Sequence, residues 1–65
     1  MRFVKGQFWM GKTNPKHIAE VLDTRGDGHE GYVQAKGEDG HSINGAGEWA
    51  NFHIFAQHWT LVTST

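Results

Sequence analysis

Three dipeptides constrain this chain more than anything else in it: Asp27-Gly28, Asp39-Gly40 and Asn44-Gly45. Tight hairpin turns need backbone at positive φ, which glycine adopts freely and Asp and Asn tolerate. Each pair lies beside or between short runs rich in β-branched and aromatic residues, and no segment shows a sustained helical stripe. Such turns in 65 residues predict an all-β protein, one small barrel or strongly bent sheet of about five antiparallel strands.

A chain of this length makes one domain, spanning 1–65, and buries only about 60% of its unfolded surface, so every large apolar residue counts. There are no cysteines, which excludes disulfide staples and thiolate metal sites. Stability must come from the core or from a partner chain. Four Phe, three Trp and one Tyr are the means available. The formal net charge is −1 with no basic block, which argues against a nucleic-acid footprint. No run is long and apolar enough for a signal peptide or a membrane span. The expectation is a cytoplasmic protein with no membrane association, and Met1 reads as the start of a complete small gene product.

Met1 to Lys12 reads as a first strand bent at Gly6 or Gly11. Thr13 to Lys16 is a turn. His17 to Thr24 is the clearest strand, although Ile18, Val21 and Leu22 also fit a helical face. Gly31 to Lys36 alternates, with Val33 and Ala35 on one face and Tyr32, Gln34 and Lys36 on the other. Gly37 to Gly40 is the next turn, His41 to Ile43 a short strand or its start, and Asn44 to Gly47 a bulge or loop. Strand resumes over Glu48 to Ala50. Asn51 is placed to cap a helical turn carrying Phe52 and Phe55. Trp59, Leu61 and Thr63 alternate in a last strand.

Gly6-Gln7-Phe8-Trp9, Ala19-Glu20-Val21-Leu22, Gly31-Tyr32-Val33 and Phe52-x-x-Phe55 leading into Trp59-Thr60-Leu61-Val62 together resemble an SH3-like barrel of the KOW/Tudor type. The order is similar to small proteins of this barrel carried by phages and mobile elements. The resemblance covers nearly the whole chain but lies in core and turn positions. It implies a protein-, peptide- or RNA-binding or inhibitory module, and fold alone does not choose among these. KOW-type nucleic-acid binders tend to be basic, which this chain is not.

Reactive chemistry finds little footing. His17, His29, His41 and His53 recur at equal intervals, but no two histidines have the close spacing that preorganises zinc. Asp23 to Gly28 lacks the ligands of a calcium loop at Arg25 and Gln34. Arg25-Gly26-Asp27 matches an integrin motif by coincidence. Ser42 beside His41 lacks a nucleophile elbow. We therefore expect no enzyme, no metal and no cofactor. The aromatic rings are too many for one small core, so some should be exposed, and exposed aromatics near Arg or Lys anchor binding surfaces. Trp9, Tyr32 and Trp49, with Arg25 and Lys36 as the neighbouring cations, are the expected binding residues, with core packing as the competing role for Trp9 and Trp49. Phe3, Phe52, Phe55 and Trp59 are expected in the core. The expected partner is another protein. Nucleic acid is an alternative, as is a small molecule or nucleotide held between the subunits of a homo-oligomer.

Overall fold

The computed structural model describes residues 2–63. Five antiparallel strands form one sheet: β1 (Phe8–Gly11), β2 (Ile18–Arg25), β3 (Glu30–Lys36), β4 (Glu48–Asn51) and β5 (Trp59–Thr63). One short helix, α1 (Phe52–His58), precedes β5. The strand order is β4-β3-β2-β1-β5, compatible with an SH3-like fold. No helix among the described residues is long and apolar enough to cross a membrane.

The turns fall where the sequence placed them, with one shift. Gly26 and Asp27 are the central pair between β2 and β3, at φ 61° and 56°, and Gly28 follows at φ 86°. Gly28 also has no room for a side chain, because a Cβ there would lie 2.6 Å from the Phe3 carbonyl oxygen. The segment expected over His17 to Thr24 is strand and not helix, observed as Ile18–Arg25, with Ala19 and Val21 alternating into the core. The expected first strand is shorter than 1–12. Residues 3 to 7 cross the sheet by separate bonds, Phe3 N–H to the Gly28 carbonyl at 2.8 Å and Gly6 N–H to the Val21 carbonyl at 2.9 Å. Gly6, at φ 92°, makes the bend. Asn51 caps α1 by accepting from the His53 and Ile54 amides, and Phe52 and Phe55 face inward as expected.

The core is aromatic. Phe3, Trp9, Phe52 and Phe55 pack edge to face, with centroids 5.3 Å apart for Phe3–Phe52 and Phe3–Phe55 and 5.4 Å for Trp9–Phe55. This geometry sets each ring's electropositive edge against a neighbour's face. Ala19, Val21, Val33 and Ala35 fill in from β2 and β3. Trp59 is half-buried and stacks on Phe55 at 5.2 Å.

Trp9 corrects the expectation of exposure: it is 2% exposed. Burying an indole requires a partner for its N–H. Gln7, itself buried, supplies one, its Oε1 accepting from Trp9 Nε1 at 3.3 Å and from the Val4 amide at 2.9 Å. A second amide guards the sheet beyond the end of β4. Asn44 Oδ1 accepts from the Ala35 amide at 2.9 Å, and its Nδ2 donates to the Val33 carbonyl at 3.0 Å. The Asn44 side chain thus stands where a neighbouring strand's backbone would stand.

Two outcomes follow for urea unfolding. Gln7→Ala strands the buried Trp9 indole N–H and the part-buried Val4 amide and should lower the unfolding free energy by about 1–3 kcal/mol. Asn44→Ala strands the Ala35 amide and should cost about the same, whereas Asn44→Asp keeps that acceptor and should cost less.

Candidate functional site

Three of the five expected binding residues meet on the outer face of the sheet, and register brings them there. Tyr32 of β3 lies directly opposite Trp49 of β4, with ring centroids 5.4 Å apart and planes at 66°. Even-numbered residues of β3 face outward, while Gly31, Val33 and Ala35 are buried. In β2 the odd-numbered residues Ala19 and Val21 face inward. Arg25 would do the same if the strand ran without interruption. The pairing instead shifts between Val21 and Asp23, so Asp23 opposes Tyr32 and Arg25 opposes Glu30. One extra residue, Leu22, reverses the parity of the rest of β2.

Arg25 thereby reaches across the outer face. Its Cζ sits 4.1 Å from the centroid of a Trp49 ring, within cation–π range. Its Nε donates to Glu30 Oε1 at 3.0 Å and its Nη2 to Glu30 Oε2 at 3.4 Å. Hydrogen bonding from Arg25, and then its charge, hold the Glu30 carboxyl below its ordinary 4.5, with a smaller pull from His29. Trp49 remains 38% exposed, so the arrangement presents one indole oriented by Tyr32 and Arg25.

The other two expected residues lie elsewhere. Trp9 is in the core. Lys36 is exposed on the same face of β3 as Tyr32 but about 13 Å along the strand.

Behind β4, on the inner side, is a cleft of about 250 Å³. Val33, Ala35, Ala50, Phe55 and Trp59 contribute its apolar lining, and Glu48 is the one charged residue that lines it. The polar atoms of Asn44, also in the lining, are spent on β3. Sequence reasoning missed this cleft. Its signal was the glycine-rich segment after Ile43, which reads as a loop while hiding a side chain that pairs like a strand.

The histidines form no metal centre: among the described residues no group of three or more His, Asp or Glu side chains is placed to hold an ion. His29 and His53 approach, with ring centroids 6.3 Å apart. Comparison with protein-family models, with curated proteins and with solved structures returns no match.

Because the folded Glu30 carboxyl titrates below 4.5, its ion pair adds stability above that pH, and the contribution is lost as pH falls through the lower, folded value. Carboxyl NMR titration should place Glu30 below 4.5, and Arg25→Ala should move it back up toward 4.5.

Proposed function

We propose that this chain is a non-enzymatic protein-binding module whose anchor is Trp49, seated between Tyr32 and Arg25. The observation that carries this reading is the exposed indole held 4.1 Å from the Arg25 guanidinium and 5.4 Å from the Tyr32 ring. Interface hot spots are enriched in Trp, Tyr and Arg because these side chains combine large contact area with few rotatable bonds or with many donors. A surface that has already ordered them loses less entropy on association. Trp49 is also fixed on a sheet and not on a loop, which favours recognition of a defined partner.

Within the SH3-like class we place the module with the KOW/Tudor-like barrels. Its role is that of a phage- or mobile-element-type accessory that recruits or inhibits a host factor in the cytoplasm. Nucleic acid is the less favoured ligand, because the guanidinium over Trp49 is already paired with Glu30 and Asp23 adds further negative charge beside Tyr32.

The test is capture from a bacterial lysate with and without nuclease, comparing wild type with Trp49→Ala. Trp49 contributes no core packing, so the variant should fold. A nuclease-resistant protein retained by wild type and weakened at least about tenfold by Trp49→Ala is the expected result, a loss of roughly 1.4 kcal/mol or more. Retention that nuclease abolishes, or that the variant leaves intact, would overturn the reading.

A further inference from the structure

The hydrogen-bond phase of β4 determines which of its backbone groups are free. In an antiparallel ladder, directly opposed residues alternate between pairs that exchange both bonds and pairs that exchange none. The Phe52 amide donates to the His29 carbonyl at 2.8 Å. Those two residues flank the opposed pair Asn51 and Glu30, which is therefore of the non-bonded kind. Counting back, Ala50 and Gly31 exchange bonds, and Trp49 and Tyr32 do not. The Ala35 amide, bonded to Asn44, agrees with this phase, because it places the odd-numbered N–H groups of β3 on the β4 side. The backbone N–H and C=O of Trp49 thus point away from the sheet, along its open edge. Among the described residues nothing bonds to them.

That edge separates two surfaces already described. The Trp49 ring is on its outer side. The cleft lined by Ala50, Glu48 and Trp59 is on its inner side. Side chains of an added strand alternate between those two sides. The residue opposite Trp49 would lie against the outer rings, and its neighbour would enter the cleft, whose volume of about 250 Å³ accommodates a large apolar side chain. Glu48 forms no ion pair among the described residues, so the complementary charge nearby is positive.

We infer that β4 receives an extended segment of a partner protein as an added strand, through two main-chain hydrogen bonds to Trp49, with an apolar side chain in the cleft and a Lys or Arg within reach of Glu48. This rests on the protein-binding reading and specifies its ligand class. Main-chain pairing supplies part of the affinity and the cleft supplies the selectivity. Asn44 occupies the free side of β3 beyond β4, so the edge open to an added strand is that of β4.

The probe is a pool of capped pentapeptides with Leu, Ile or Phe at the centre and Lys two residues on, titrated into the isotope-labelled chain and followed by NMR. The Trp49 amide should shift and its hydrogen exchange should slow. Methylating the peptide nitrogen that would face Trp49 should abolish binding, and methylating the next nitrogen should not. Ile43→Asp, an exposed change in the cleft lining, should weaken binding about tenfold. No movement of the Trp49 amide at about 1 mM peptide, or equal binding of the two methylated forms, overturns the inference. A captured partner that depends on the Trp49 ring while the Trp49 amide still exchanges freely would reject strand addition and leave the protein-binding reading standing.

Discussion

The Gln7 carboxamide, buried among aromatic rings, accepts from both the Val4 amide and the Trp9 indole. A core this small has few ways to hide a tryptophan, because the ring brings a polar donor with it. Gln7 resolves that by reaching over from the residue two positions back. With the donor satisfied, Trp9 can sit edge to face with Phe52 and Phe55. Trp9 is thereby spent on the interior, while Trp49, turned outward by its register with Tyr32, stands on the sheet that this interior supports.

The second determinant is the irregularity at Leu22. A strand's alternation is strict, so one inserted residue reassigns every residue after it to the opposite face. Asp23 and Arg25 are delivered to the outer face this way, and Arg25 then closes over Trp49. The guanidinium is tethered from two sides, by the ring below and by Glu30 across the ladder. Each tether is weak at an exposed site. Together they restrict a long side chain to a narrow set of conformations.

Much of the fold was legible because it rests on local chemistry. Positive-φ glycines mark the turns, Asn51 has the side chain an N-cap needs, and the alternation of Tyr32, Val33, Gln34 and Ala35 states its own faces. Tyr32, Trp49 and Arg25 were legible as residue types suited to binding, though their meeting was not. The parts that were hidden depend on pairings between distant segments. Nothing near Trp9 announces that Gln7 will satisfy its indole in preference to solvent. Nothing in Val21-Leu22-Asp23 announces a bulge, since an uninterrupted strand has the same composition. Asn44 beside Gly45 signals a turn so strongly that its role as a surrogate strand passes unseen.

Phe3 carries a consequence for how the chain is made. Its ring lies against Gly31, where a Cβ would come within 2.7 Å, and its other aromatic contacts include Phe52 and Phe55. The first core residue to leave the ribosome therefore waits for nearly the last. Contacts this distant in sequence slow folding and leave little to form in stages. Until Phe55 has emerged, Phe3 and Trp9 have no completed interior to enter, and a chain cut short before it would expose both rings to chaperones and proteases.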